Sequence, residues 1–288
     1  RRGPDRAFLP PTMDRPLPDR FAGRLQPLDR FPAAARAGLR GVLFDIDDTL
    51  TTDGRLTVAA YGAMERLHAA GLLVVPITGR PAGWCDHFAR MWPVDAVVGE
   101  NGAFYFRYDA AARRLTKRFQ AGEAERRENR RRLTALGERI LAAVPGAALA
   151  SDQLYREADL AIDFCEDVPR LPPAAIDRIL ALFAAAGATA KVSSIHVNGW
   201  FGHYDKLTMT RTLMQEAFGV DLDAERAAYV FAGDSPNDAP MFAFFPKAVG
   251  VANLRDFLDR LESAPAYLTT ASAGAGFVEL AEAILAAR

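Results

Sequence analysis

Two hydrophobic periods alternate along this chain. Short apolar runs without a polar break predict parallel strands buried on both faces, and longer stretches with apolar residues three and four apart predict helices. The first run is Val42-Leu43-Phe44. A loop from Thr51 to Arg55 follows, then a helix from about Thr57 to Ala70 with Ala60, Met64 and Leu67 inward and Gly71 as its stop. Leu72 to Ile77 predicts a second buried strand. Pro81 opens a helix whose Trp84, Phe88 and Met91 predict a core-facing stripe. Val94 to Val98 predicts a third strand; after Glu100-Asn101-Gly102, the alternation of Phe104 and Phe106 predicts a hairpin with Leu115 to Phe119.

Near residue 121 the pattern shifts. Glu123 to Arg132 is an Arg-rich run interleaved with Glu123, Glu125 and Glu128, which reads as a solvated helix face rather than a phosphate or nucleic-acid patch. The helix continues through Leu133, Leu136, Ile140 and Val144. Strands are predicted at Ala147 to Ala150 and Leu160 to Phe164, a helix after Pro172-Pro173 with Ile176, Ile179, Leu180 and Phe183 inward, and strands at Ala188 to Ser193 and Ile195 to Trp200. This α-β-β-α-β-β order predicts a separate α+β unit. The α/β rhythm returns with a helix over about Lys206 to Phe218, a strand at Tyr229 to Ala232 and another at Ala248 to Ala252. Asn253 is a candidate N-cap for a helix carrying Leu254, Phe257, Leu258 and Leu261; Ala266 to Thr269 is a candidate edge strand, and Phe277, Leu280 and Ile284 mark the last helix. The expected organisation is an α/β core formed by residues 38–120 and 200–288, split by an α+β cap at 121–199. An insertion there only lengthens one crossover.

Residues 1–37, rich in Arg, Pro and Asp without sustained periodicity, are expected to be a weakly ordered leader, with Met13 a candidate start. Half of the 288 residues are apolar and the net charge is −1, which gives no global pointer to nucleic acid. No apolar run approaches the roughly 20 residues of a membrane span, and no signal-peptide segment is evident. Cys85 and Cys165 lack metal-like spacing and fit buried thiols in a reduced, cytoplasmic compartment. His68, His87, His196 and His203 make no zinc pattern, although His196 and His203 fall near the return from cap to core.

The candidate chemistry begins where Phe44 meets Asp45, Asp47 and Asp48. A carboxylate cluster at a strand's end needs a cation or a proton, and ligands of open α/β sheets bind at that edge. By itself Asp-x-Asp-x-Thr also suits an acidic turn, Thr78 an ordinary strand-end hydroxyl, Lys206 a helix-start cation with Asp205 as N-cap, and Asp234 and Asp238 capping residues. Taken together, each at a predicted carboxyl edge, they favour a site.

In order, Asp45-Ile46-Asp47-Asp48-Thr49, Thr78-Gly79-Arg80, Lys206 and Gly233-Asp234-Ser235-Pro236-Asn237-Asp238 resemble the four motifs of the haloacid dehalogenase-like phosphohydrolases, over roughly residues 40–288. The position of the cap resembles the Cof-like, sugar-phosphate phosphatase branch, subfamily IIB. Ile195 to Trp200 departs from that branch's acidic-Pro-Gly run. The resemblance implies a Rossmann-like core and a Mg²⁺-dependent phosphatase acting through an aspartyl-phosphate. Asp45 would be nucleophile, Asp47 acid and base, and Thr78 and Lys206 phosphate-side groups. Asp45, the Asp47 carbonyl, Asp234 and Asp238 would hold or surround Mg²⁺. Thr49, Gly79, Arg80 and Asn237 are expected at the substrate, joined by the cap residues Lys191, His196 and Asn198, with Trp200 on the same strand face. The expected partner is a small phosphorylated metabolite, with no nucleic acid or membrane, and a monomeric or homodimeric protein. A sugar phosphomutase and a metal-binding homologue without turnover are the alternatives; a signalling receiver is disfavoured because its acidic pair would come first and its Lys last.

Overall fold

The computed structural model describes Phe21 and residues 25–288. Its strands and helices, in chain order, begin with β1 (Gln26–Pro27), α1 (Ala33–Ala37), β2 (Gly41–Phe44), α2 (Val58–Ala69), β3 (Leu73–Pro76), α3 (Ala82–Met91) and β4 (Val97–Gly99). A hairpin of β5 (Phe104–Asp109) and β6 (Arg114–Phe119) leads to α4 (Glu123–Ala143), β7 (Ala148–Leu149), β8 (Asp159–Asp163), α5 (Pro173–Ala185), β9 (Thr189–Val192) and β10 (His196–Trp200). The chain then forms α6 (Lys206–Phe218), α7 (Leu222–Glu225), β11 (Tyr229–Gly233), α8 (Ala239–Phe244), β12 (Val249–Gly250), β13 (Tyr267–Leu268) and α9 (Ala273–Leu285).

The main sheet is parallel, in the order β1-β13-β12-β11-β2-β3, and a bridge between Ile77 and Val98 brings β4 beside β3. Both faces are covered, which is why its strands read as unbroken apolar runs. Leu43, Val75 and Phe231 pack on one side with Met209 and Leu213 of α6; Val42, Phe44, Val74 and Val230 pack on the other with α2 and α9. Thr57 caps α2 through its hydroxyl, which accepts from Ala60 N.

The cap sheet, β7-β8-β10-β9, is antiparallel and its two faces differ. Leu160, Ile162 and Val197 pack with residues of α4 and α5. The alternate positions, Asp159, Asp163, His196, Asn198 and Trp200, lie on the opposite face. Trp200 stacks on Tyr204 and donates to its carbonyl rather than entering the helix-packed layer. On the outer surface of α4 the Arg run is a solvated face, with Arg127 paired to Glu123 and Arg131 to Glu128.

Several local expectations need correction. Residues 1–20 and 22–24 of the expected leader lie outside the described residues, but its last part is built into the core. Gln26 and Pro27 pair with Tyr267 and Leu268, and Phe31 is buried against Tyr267. Ala266 to Thr269 is therefore not the edge; β1 is. On α3 the inward stripe is Ala82, Cys85, Phe88 and Ala89, while Trp84 is 39 % and Met91 66 % exposed. Asn253 does not cap a helix; residues 252–260 form a 3-10 segment after Val251, and its side chain serves the site instead. Cys85 is a buried thiol, and Cys165 is only half-buried, its Sγ lying 3.4 Å from the Ser194 carbonyl oxygen.

One glycine marks how tightly the cap is packed. A Cβ on Gly199 of β10 would stand 2.1 Å from the ring of Phe183, which is fully buried in α5. Gly199→Ala is expected to cost about 1–3 kcal/mol through overpacking. The change should appear as a lower urea midpoint with an unchanged slope; an unmoved midpoint would show that the ring has room to yield.

Candidate active site

β2 and β11 are hydrogen-bonded neighbours with Phe44 opposite Ala232, so Asp45 and Asp234 leave the same edge of the sheet. The ladder continues into the site: Asp45 N donates to Ala232 O at 2.9 Å. After β11, Ser235 and Asp238 form a reciprocal capping box, and Asp238 Oδ2 accepts from Asp234 N at 3.1 Å. Carboxylate oxygens of Asp45, Asp234 and Asp238 thus lie within 4.8 Å of one another.

A single buried ammonium ties this cluster together. Lys206 Nζ donates to Asp45 Oδ1 at 2.9 Å and to Asp238 Oδ1 at 2.7 Å. Lys206 is the first residue of α6, and Asp205 fixes that helix start by accepting from Thr208 N at 2.7 Å. Thr49 donates to Asp234 Oδ1 at 3.2 Å, and Asn253 Nδ2 reaches both Asp234 Oδ2 and the Asp48 carbonyl. Three buried carboxylates against one buried cation leave a deficit of positive charge. Burial is the largest influence on Asp45 and, opposed by Lys206 but reinforced by Asp238 and Asp47, pushes its carboxyl up to about 7. Burial and the neighbouring Asp45 and Asp238 push Asp234 well above the usual carboxylate range. Lys206 is held in its charged form by Asp238 and Asp45 despite burial. An all-oxygen set short of positive charge suits a hard divalent cation.

Of the other predicted residues, some fall around this cluster and others do not. Thr78 is fully buried beyond β3, where its hydroxyl accepts from Arg80 N at 3.0 Å. The Gly79 carbonyl accepts from Arg156 of the cap at 2.8 Å. Asn237 donates to Asn101 Oδ1 and accepts from Ser235 Oγ. The Asp47 side chain points away from the cluster onto Arg80, which contacts its two oxygens at 2.8 to 3.0 Å. Arg80 also donates to Asp152 and Glu166 of the cap, at 3.3 and 2.7 Å. His196 Nε2 lies 2.8 Å from Glu166 Oε2, and Asn198 donates to Asp159 at 3.0 Å. His196 and Asn198 are each only 2 % exposed and so are held within the cap's polar face. Lys191 lines a separate cleft of about 350 Å³ between cap and core, with Asp177, Arg260, Glu262 and Pro236. His203 is exposed.

Sequence reasoning did not single out the residues that join cap to core. Glu100 is fully buried and accepts from Ala82 N on the core side and from Glu157, Ala158 and Asp159 N on the cap side. Burial, with Asp159 adding to it, pushes Glu100 up to about 8 against the pull of Arg156 and the backbone donors. Glu100 and Asn101 both have positive φ, 44° and 54°, a strained turn at the carboxyl end of β4. The position of Glu100-Asn101-Gly102 right after a buried strand was the available signal. Nothing in the local pattern marked Asp152, Arg156, Asp159 or Glu166.

A doubly covered parallel sheet with a buried carboxylate, a buried Lys and an acidic pair at its carboxyl edge, roofed by an α+β cap, is an arrangement similar to that of haloacid dehalogenase-like hydrolases. The family model described as haloacid dehalogenase-like hydrolase matches residues 42–123, the stretch that carries Asp45, Asp47 and Thr78. That match agrees with the hydrolase class expected from its motifs. No curated protein matches the chain in sequence. Among solved structures, a protein of Thermoplasma acidophilum has a TM-score of 0.64 at 18 % identity, covering 86 % of this chain and 98 % of its own. The sucrose-phosphatase of Synechocystis has a TM-score of 0.58 at 17 % identity, covering 85 % and 98 %. A sugar phosphatase of haloacid dehalogenase subclass IIB has a TM-score of 0.54 at 15 % identity, covering 80 % and 93 %. These likenesses are of fold: a Rossmann-like core bearing a cap. Among the described residues no helix is long and apolar enough to cross a membrane.

The charge deficit has a pH signature. Asp45 ionises at about 7 in the folded protein against an ordinary 3.8, so the folded state binds the extra proton between those values. That contribution to stability is full below pH 4 and is lost as pH rises through about 7. EDTA-treated protein is therefore expected to lose stability from this site between about pH 4 and 7, and added Mg²⁺ should remove the decline. Chemical denaturation at several pH values checks this; a metal-independent profile would mean that the cluster holds no cation.

Proposed function

We propose that the protein is a Mg²⁺-dependent phosphatase that hydrolyses a small phosphorylated metabolite, a sugar phosphate, through an aspartyl-phosphate on Asp45. The observation that carries this reading is the placement of Lys206 between Asp45 and Asp238, within a cluster whose third carboxylate is Asp234. Phosphoryl transfer is mostly positioning and charge neutralisation, and this edge supplies both.

In this reading an Asp45 oxygen attacks phosphorus and the leaving oxygen departs with a proton from Asp47. Asp47 then takes a proton from the water that attacks phosphorus and releases phosphate, regenerating Asp45. Lys206 holds Asp45 in place and offsets charge on the phosphoryl group. Thr78 accepts from Arg80 N, so its own hydroxyl hydrogen is left for a phosphoryl oxygen. Asp45, Asp234 and the Asp47 carbonyl would hold the cation, with Asp238 securing Lys206; the ion would supply neutralisation between two anions. The cap supports a small substrate, since it roofs the sheet edge, and the sugar phosphatases that share the fold support a sugar leaving group. A cytoplasmic location suits the buried thiol of Cys85.

Asp45→Asn should reduce turnover of a sugar-phosphate panel by more than about 100-fold, a barrier increase of about 2.7 kcal/mol, with the denaturation midpoint retained. A purified variant that keeps more than a hundredth of wild-type activity would remove Asp45 from the nucleophile's role. Asp234→Ala should lower activity and its dependence on Mg²⁺ together; wild-type activity undiminished by EDTA would contradict metal dependence altogether.

A further inference from the structure

We infer that Arg80 is a positioning residue that couples seating of the cap to the orientation of Asp47, with Asp152 and Glu166 forming the cap's half of the latch. The inference rests on the reading of Asp47 as acid and base. Its basis is the way one guanidinium is shared. Nε and Nη2 face both oxygens of Asp47, at 2.8 to 3.0 Å, in a side-on pair. The rest of the same planar group faces the cap, with Nη2 on Glu166 Oε1 at 2.7 Å and Nη1 on Asp152 Oδ2 at 3.3 Å.

Each partner is itself held. The Arg80 backbone is anchored through its N–H to Thr78 and through its carbonyl to Glu100 N. The Trp84 ring lies 4.5 Å from its guanidinium carbon, which accounts for an aromatic residue on the open side of α3. On the cap, Asp152 accepts from Arg156 Nε at 3.0 Å, and Arg156 also binds Asp159 and the Gly79 carbonyl. His196 Nε2 lies behind Glu166, 2.8 Å from its Oε2. Burial opposes ionisation of Glu166, but His196 and Arg80 outweigh it and hold the carboxyl down at about 2. Two rows of contacts therefore run from cap to core, His196–Glu166–Arg80–Asp47 and Arg156–Asp152–Arg80.

The geometry makes Asp47 sensitive to the cap. With the cap seated, Arg80 is 5 % exposed and its plane is fixed by carboxylates on three sides. Lifting the cap removes two of the three and admits water. A solvated pair is weak and free to pivot, whereas a desolvated pair keeps its angle. Asp47 is then held at one orientation only when the cap is down. The protein's own carboxylates set this, so the latch acts on any phosphate ester that reaches Asp45, including one too small to touch the cap.

The test uses full-length Arg80→Lys, Glu166→Gln and the double variant, assayed with Mg²⁺ and p-nitrophenyl phosphate, alongside Asp47→Asn. Arg80→Lys keeps the charge but loses the bidentate fork, and Glu166→Gln keeps the shape but loses the charge. Each is expected to lower kcat by about 10- to 100-fold, the scale of a misplaced catalytic group, with KM nearly unchanged. Because both act through one latch, the double variant should be no slower than Arg80→Lys alone. Glu166→Gln should also speed amide hydrogen exchange in the cap-to-core connections, residues 119–122 and 200–205. Losses that multiply in the double variant, or that fall on KM alone, would overturn the latch. If Asp47→Asn turns over normally, the reading of Asp47 itself is wrong; if Asp47→Asn is inactive while Arg80→Lys and Glu166→Gln match wild type, only the latch is wrong.

Discussion

The structure depends on keeping three carboxylates and one ammonium buried together at the edge of a parallel sheet. Asp45, Asp234 and Asp238 are nearly or fully inaccessible, and so is Lys206. Removing like charges from water and placing them within 4.8 Å of one another is costly. The fold sustains this because neighbouring parallel strands fix the spacing of Asp45 and Asp234. A capping box orients Asp238, and an N-capped helix delivers Lys206 between them. The remaining deficit of charge suits a cation and, under the proposed function, a phosphoryl group brought in with it. Apolar packing on both faces of the sheet supplies the stability that this arrangement consumes.

The cap meets the core through polar contacts as well as through Ala158, which packs on the apolar cluster around Ile46 and Phe104. The helices α4 and α5 and the inner face of the cap sheet share a hydrophobic layer of their own. The polar contacts that cross to the core include Glu100 with three cap N–H groups, Arg156 with the Gly79 carbonyl, and Arg80 with two cap carboxylates. Interfaces of this kind exchange their partners for water at modest net cost, whereas a severed apolar core does not. A joint built in this way suits a cap that has to admit one molecule and release another. It also explains the strained turn at Glu100 and Asn101, which places the Glu100 carboxylate where core and cap backbones converge.

Much of this was legible in the sequence, for identifiable reasons. The strands of the core are doubly buried, so Val42 to Phe44 and Tyr229 to Ala232 stand out as apolar runs. Asp45 and Asp234 stand out because acidic residues follow those runs directly. Alternation in the cap correctly put His196, Asn198 and Trp200 on one face. The sequence was silent where long-range contacts decide. Tyr267 and Leu268 look like an edge until Gln26 and Pro27 pair with them. Trp84 looks like core until Arg80, fixed by distant cap acids, offers it a cation to lie against. Asp152 and Glu166 sit in irregular segments where an acidic residue is unremarkable, and only the folded cap brings them to Arg80. Asn253 suited an N-cap by type, but its amide bridges Asp48 and Asp234 instead.

The most direct measurement of the central claim is calorimetric titration of Mg²⁺ into metal-free protein at pH 7, repeated in two buffers of different ionisation enthalpy. Burial and mutual repulsion keep Asp45 and Asp234 protonated above the usual carboxylate range, so a bound cation must expel protons from them. The account predicts one binding site, proton release to the buffer, and loss of both in Asp234→Asn. Binding without proton release, or no binding at millimolar Mg²⁺, would contradict the claim that this buried cluster is built for a divalent cation.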